Sequence, residues 1–291
     1  SYREPYMLKV KMPGIFQIGY FQRNPLNSPN YDLWNYSFQI SKDLKDNWHT
    51  VNKIEYQYIT DIQKAKQDTT NQQLDLPDHQ KGASLKLSFV KDKRNNLVVP
   101  SRGFLTEVGV ALSYANNPEN AVANLEPNSF YLTFRLGWNR YLKSPLHKNW
   151  ILASRIKVGY IQFIGKETIP LKPDVFYLGG TSTIRGYQEQ FVGPLNSSKT
   201  SALGGNISIL TNIESRIPFW KMFFLTTFVD AGTVWANRNE MNIKDIRLGT
   251  GGGLAVSLDF LVLRLEYGHK LFKKDWEKDS GLIHFGISFA Y

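Results

Sequence analysis

Residues 130–139 read FYLTFRLGWN: Phe130, Leu132, Phe134, Leu136 and Trp138 alternate with Tyr131, Thr133, Arg135, Gly137 and Asn139. A repeat of two sends successive side chains to opposite sides of an extended chain. The stretch therefore predicts a strand with one large apolar face and one polar or small face. Upstream, Phe104, Thr106, Val108, Val110 and Leu112 alternate with Leu105, Glu107, Gly109, Ala111 and Ser113. At the far end, Ile283, Phe285, Ile287, Phe289 and Tyr291 alternate with His284, Gly286, Ser288 and Ala290. Weaker versions recur near 15–22, 33–41, 51–60, 83–91, 150–162, 204–217, 222–233, 247–258 and 261–268. The expectation is about twelve strands, most near the nine to eleven residues that cross a bilayer at a tilt. No amphipathic helical pattern is evident.

A soluble sandwich or a lipocalin-like can also alternates, so the polar face must discriminate. It carries Arg135, Arg155, Lys157, Glu214, Arg216, Arg264 and Glu266 in mid-strand. Sandwich strands usually run about five or six residues, and these run longer. A membrane barrel accounts together for the length, the aromatic apolar face and a charged lumen. Connection lengths agree. Residues 61–82, 115–128, 164–203, 234–246 and 269–280 form long links. Residues 142–149, 218–221 and 257–260 form short ones, and 92–102 is intermediate. Short turns on one side and long loops on the other are the habit of outer-membrane barrels. The fold expected is all-β, a transmembrane antiparallel up-and-down barrel, with an even strand count placing both termini on the short-turn, periplasmic side.

Composition sets outer bounds. The 291 residues contain no cysteine, which excludes disulfides and thiolate metal sites. No run approaches the roughly eighteen apolar residues of a membrane helix. The first residues, Ser1 to Pro5, lack a signal-peptide shape, which suits a mature chain or a fragment. A formal net charge of +10 favours anionic partners. For a membrane barrel these are phospholipid and lipopolysaccharide, with no nucleic acid expected.

The longest link contains FYLGGTSTIRGYQEQFVGP, residues 176–194. So long a connection in a compact protein is expected to be functional or packed, and the lumen is the natural place to fold it. There a buried Arg185 needs carboxylates. Glu214 and Asp230, on the next two strands, share the face turned away from lipid. Gly179, Gly180 and Gly186 would permit close backbone approach, and Tyr187 should pack on the inner wall.

These residues carry a resemblance. YLGGTSTIRGY (177–187) resembles the sixth-loop motif, GG…(V/I)RG(Y/F), of the BamA/TamA superfamily of outer-membrane barrels. NIESRIP (212–218) and FVDAGTVW (228–235) are similar to the strand pair that follows that loop. LGTGGGLAVSLDFLVLRLEYGHKL (248–271) resembles the penultimate strand pair. KDKRNNLVVPSRG (91–103) is similar to the D-x-R-(D/N)-x-x-x-x-P-x-x-G turn. GLIHFGISFAY (281–291) fits the closing strand, with Tyr291 where Phe or Trp is commoner. The likeness is strong from about residue 82 onward. It implies a loop lock built from Gly179, Gly180, Arg185, Gly186, Tyr187, Glu214, Asp230 and Gly232. It also implies a closing-strand signal at Phe285, Gly286, Ile287, Phe289 and Tyr291. Family barrels have sixteen strands preceded by periplasmic POTRA domains. Residues 1–291 therefore read as one outer-membrane barrel domain, the C-terminal part of a sixteen-strand wall, with the loop at about 164–203 in its lumen and no POTRA-like segment; the competing reading is a smaller barrel of about twelve strands that has no POTRA domains. Ser1 to Tyr6 resembles the (D/N)-P-(F/Y/W) segment between early strands of such a barrel.

No G-x-S-x-G elbow or H-E-x-x-H is present, and the five histidines are scattered without metal-ligand spacing. Residues 248–254 approach a dinucleotide loop, but Leu254 stands at its third glycine and no helix follows. No enzyme activity, cofactor or metal is expected. The resemblance implies a factor that folds client barrels through a lateral strand seam in the bacterial outer membrane, with possible accessory lipoprotein or periplasmic subunits. The alternatives are a two-partner-secretion translocator, passing secreted polypeptides, and the membrane anchor of a patatin-like lipase.

Overall fold

The computed structural model describes residues 2–4, 13–25, 27–28, 30–60, 79–117, 127–144, 149–165, 169–258, 261–277 and 279–289. They form one antiparallel sheet whose strands neighbour one another in chain order. The strands are β1 (Tyr2–Glu4), β2 (Gly14–Arg23), β3 (Tyr31–Asp43), β4 (Trp48–Thr60), β5 (Gln80–Asp92), β6 (Gly103–Asn116) and β7 (Asn128–Lys143). They continue with β8 (Ile151–Ile164), β9 (Ile207–Trp220), β10 (Phe223–Trp235), β11 (Arg247–Ser257), β12 (Leu261–Lys270) and β13 (Gly281–Phe289). Twelve of them run from 9 to 16 residues, long enough to cross a bilayer when tilted. Helix is confined, among the described residues, to three-residue 3₁₀ turns.

The period-two reading survives in the faces. Phe130, Phe134, Leu136 and Trp138 are exposed on the outer face of β7, with Leu132 half-buried among them. Tyr131 and Thr133, between them, are buried on the inner face. The distribution is inverted relative to a water-soluble domain, whose buried residues are mostly apolar: Glu55, Asp230 and Glu266 are buried while aromatic rings stand outside. A bilayer as the outer solvent accounts for both halves. Phe134→Arg would set a guanidinium among lipid tails. Near the midplane it is expected to cost about 2–4 kcal/mol, read from denaturant-dependent insertion into vesicles. Insertion as stable as the parent's would contradict the lipid-facing assignment.

Three features differ from expectation. The short strand β1 pairs Tyr2 with Phe16 and Glu4 with Gly14, within the segment read as lying between early strands; three residues are too few for a periodicity to register. Strand β9 begins at Ile207 rather than 204, because Gly204 has φ +74° and Gly205 bridges back to Phe176 inside the preceding loop. The parity argument for the termini holds for the twelve long strands only. Gly14 of β2 and Phe289 of β13 both lie at the short-turn end, and β1 makes thirteen. Much of the long links at 61–82 and 115–128 falls outside the described residues, as does Tyr291.

The sheet does not close on itself among the described residues. Strand β13 pairs with β12 over its whole length, and β2 pairs with β1 only from Gly14 to Phe16. Their outer edges otherwise have no strand partner there. Inside the sheet lie two apolar clusters, each part wall and part loop. One joins Leu33, Tyr131, Ile161 and Phe163 to Leu171 of the β8–β9 connection. The other joins Leu178, Ile184, Tyr187 and Val192 of that connection to Leu210 and Val234 of the wall.

Candidate functional site

The described part of the β8–β9 connection, residues 169–206, is folded against the inner face. It has a ladder of its own: Phe176 bridges Gly205, Leu178 bridges Val192 and Leu195 bridges Ala202. Within it, Gly179 (φ +109°) and Gly180 (φ +96°) open a tight turn. The Gly180 N–H donates to the Ile184 carbonyl (3.1 Å), and the Gly179 N–H donates to Thr183 Oγ1 (2.8 Å). These backbone angles are ones that a side chain resists, and the turn presents Arg185 to the wall.

Arg185 meets three carboxylates. Its Nε and Nη2 donate to the two oxygens of Asp230 (2.8 and 2.9 Å), a bidentate fork. Its Nη1 donates to Glu214 Oε2 (2.8 Å) and to Glu266 (3.1 Å). Its backbone N–H donates to Asp230 as well (3.0 Å), and the guanidinium lies 3.5 Å above the Phe228 ring centre. Burial works against the charge, but the Asp230 hydrogen bonds and the three carboxylates outweigh it and hold the guanidinium above its ordinary pKa. Around this centre, Asn212 Nδ2 donates to Asp230 (2.7 Å) and Thr226 Oγ1 to Glu266 (2.8 Å). Glu214 has further partners in Arg216 (2.7 Å) and Arg264 (3.6 Å). A buried cation satisfied on every side by hydrogen-bonded acids is rigid, and removing one member strands the others.

The neighbouring residues fasten the loop to the last strands. The Gly186 N–H donates to His284 Nε2 of β13 (2.7 Å), which leaves the ring proton on Nδ1, 3.1 Å from Thr181 Oγ1. Tyr187 is buried, with its hydroxyl 3.2 Å from the carbonyls of Leu248 and Phe272. Burial pushes that phenol up to about 12. Gly232 lies under Ile184, and Gly286 faces Thr181. Phe285 and Ile287 point outward. Phe289 ends β13, and Tyr291 lies outside the described residues. At its base the loop is held by Asp174, which accepts from Tyr131 Oη (2.8 Å) and pairs with Arg135 and Lys86.

Two members of the Arg185 environment are absent from the sequence expectation. Alternation puts Glu266 on the polar face without setting it beside Arg185, and His284 reads as one of five scattered histidines. The register that sets Glu266 opposite His284 brings them together, and no local sequence pattern reports it. In the 91–103 turn, Arg94 Nη2 donates to Asp92 (2.7 Å) and Gly103 has φ +102°. The turn therefore folds as a closed unit at the short-turn end.

Comparison with known proteins agrees with this architecture. A SAM50-like protein of Schizosaccharomyces pombe is 21% identical over 212 residues, 71% of this chain and 40% of its own. The outer membrane protein assembly factor BamA of Nitratidesulfovibrio vulgaris is 26% identical over 149 residues, 49% of this chain and 18% of its own. The chain thus spans less than half the length of either curated relative. The crystal structure of BamA from Haemophilus ducreyi lacking POTRA domains 1–3 superposes with a TM-score of 0.72 at 17% identity, covering 98% of this chain and 60% of that one. It shares the fold. The Omp85 superfamily domain matches residues 1–291, so the chain belongs to the Omp85 superfamily, whose barrels reside in the outer membrane.

Proposed function

We propose that this chain is the barrel of a bacterial outer-membrane assembly factor, which folds client β-barrels through a lateral strand seam at β13 without any enzymatic step. The observation that carries the reading is the grip of the lumen loop on the last two strands, Gly186 N–H to His284 of β13 and Arg185 to Glu266 of β12. An unpaired edge offers a row of N–H and C=O groups to an incoming strand. A loop fastened to β13 and β12 from inside would hold the closing strand in place while a client strand pairs at the seam. On this reading Phe285, Gly286, Ile287, Phe289 and Tyr291 form the closing-strand signal, and the long-strand wall is three quarters of a sixteen-strand barrel. The short turns face the periplasm, where accessory lipoproteins or other subunits would dock. The surrounding partners are phospholipid and lipopolysaccharide, and the matched relative's name, an assembly factor, is consistent with the client class.

The test is disulfide trapping. The protein carrying Ile287→Cys is reconstituted in vesicles and supplied with denatured client barrels bearing single cysteines along their strands. Faster client folding, with cross-links concentrated in one terminal client strand, is the expected result. Client folding at the lipid-only rate would overturn the assembly role. A secreted polypeptide crossing the vesicle membrane without cross-links would make the chain a translocator.

A further inference from the structure

A cavity of about 530 Å³ lies between the end of β2, the β2–β3 connection and the base of the lumen loop. Its lining includes Arg23, Ser28, Tyr31, Lys172, Tyr177 and Gln190, and no Asp or Glu is among the described lining residues. Lys172 is only 5% exposed. Its Nζ donates to Tyr177 Oη (2.5 Å), which donates in turn to the Leu203 carbonyl. No carboxylate among the described residues pairs with it. The adjacent Asp174 is committed to Tyr131, Arg135 and Lys86. Arg23 rests over Phe21 (5.3 Å) and makes no ion pair among the described residues. Gln190 is held at φ +66°, and its buried Oε1 has no hydrogen-bond partner.

We propose that this cavity is a binding site for a phosphate ester, with Lys172 and Arg23 supplying the charge and Tyr31, Tyr177 and Gln190 the neutral polar contacts. A buried ammonium without an acid is costly, and burial alone pushes Lys172 down to about 8. An anion arriving in the cavity removes that cost. Two cations with no acid beside them match a dianion better than a carboxylate, which one of them would neutralise. The tyrosine hydroxyls and the unpartnered Gln190 suit a ligand that also carries hydroxyls, such as a sugar phosphate. The walls are braced: Asn27 Nδ2 donates to the Glu189 carbonyl (2.7 Å), and the Ala202 N–H donates to the Asn27 carbonyl (2.6 Å). Because the β2–β3 connection lies at the end opposite the short turns, the phosphate could belong to a free sugar phosphate or to a phosphorylated glycolipid headgroup of the neighbouring leaflet.

Isothermal titration calorimetry on the purified protein in an uncharged detergent tests this, with inorganic phosphate and glucose 6-phosphate as probes. Saturable one-site binding is expected, weakened about tenfold or more by Lys172→Met and by Arg23→Gln, the scale of one lost charge-assisted contact. Affinity should also fall as pH rises through about 8, where Lys172 loses its proton. Without anion, Lys172→Met should melt at or above the parent temperature, since it removes a buried unpaired charge. Arg23 is exposed and Arg23→Gln gives up only its contact with the Phe21 ring, so loss of binding there cannot be ascribed to unfolding. Competition by a phosphorylated glucosamine glycolipid, and not by its dephosphorylated form, assigns the site to the leaflet. Sugar-phosphate binding without such competition assigns it to the free ester. Absence of saturable binding of either probe, or binding that survives both substitutions, overturns the proposal.

Discussion

Arg185→Ala is expected to release the lumen loop and abolish function while leaving the strands inserted. The reason lies in what the substitution leaves behind. Glu214 retains Arg216 and Arg264 as partners. Asp230, fully buried, keeps only Asn212 and a backbone N–H, and Glu266 keeps Thr226. Stranding a buried carboxylate costs on the order of 3–5 kcal/mol. The loop's remaining attachments, chiefly Tyr187, His284 and the apolar cluster around Ile184, must then hold against that penalty. Arg185→Lys should rescue poorly, because a lone ammonium cannot make the fork to Asp230 while reaching Glu214 and Glu266, nor stack on Phe228 as a planar group does. Asp230→Asn placed in the Arg185→Ala background should recover part of the loss, since it removes the stranded charge. Limited proteolysis between 179 and 193, run beside a client-folding assay, reads all three. An Arg185→Ala protein as protease-resistant and as active as the parent would show that the cluster neither holds the loop nor serves the function.

The wall was legible in the sequence because a bilayer outside and water within impose opposite demands on alternate residues. Phe130, Phe134 and Trp138 against Tyr131, Thr133 and Arg135 state that demand without further context. The loop's two ends were harder. The strand is expected from 204, yet Gly204 bends the backbone into the left-handed region and keeps residues 204–206 in the loop. The partners of Arg185 were legible only in part. Alternation tells which face Glu266 occupies, but its height in the wall depends on the register of β12 against β11 and β13, which no local pattern reports. The Lys172 cavity joins residues at 23, 31 and 172 through the fold of a long loop, and such a juxtaposition has no periodicity at all. Short pairing, as in β1, fails for a simpler reason: three residues complete barely one repeat.

Gly268→Ala is expected to reproduce the Arg185→Ala phenotype with every charge in place. Gly268 lies on the inner face of β12, directly beneath the Arg185–Gly186 peptide. A methyl group there would overlap the Gly186 nitrogen and come within 2.7 Å of the Arg185 carbonyl carbon. Neither neighbour is the free end of a side chain that could rotate away. Gly249 on β11 meets the Arg185 carbonyl oxygen in the same manner, so the loop is seated on two positions without a Cβ. Overpacking of this kind costs typically about 1–3 kcal/mol. Here the cheapest relief is to lift the loop, which breaks the Arg185 fork and the Gly186–His284 hydrogen bond together. The two substitutions therefore act on one event, and the double variant should be scarcely worse than Arg185→Ala alone, the non-additivity of residues that share partners. Gly109→Ala on β6 is the control: its added methyl would find nothing closer than 3.5 Å, and it should behave as the parent does. Proteolysis of the loop in the four proteins decides the matter. A Gly268→Ala loop as protected as that of Gly109→Ala would mean that the backbone yields at β12, and that the close seat under Arg185 is not what positions the loop.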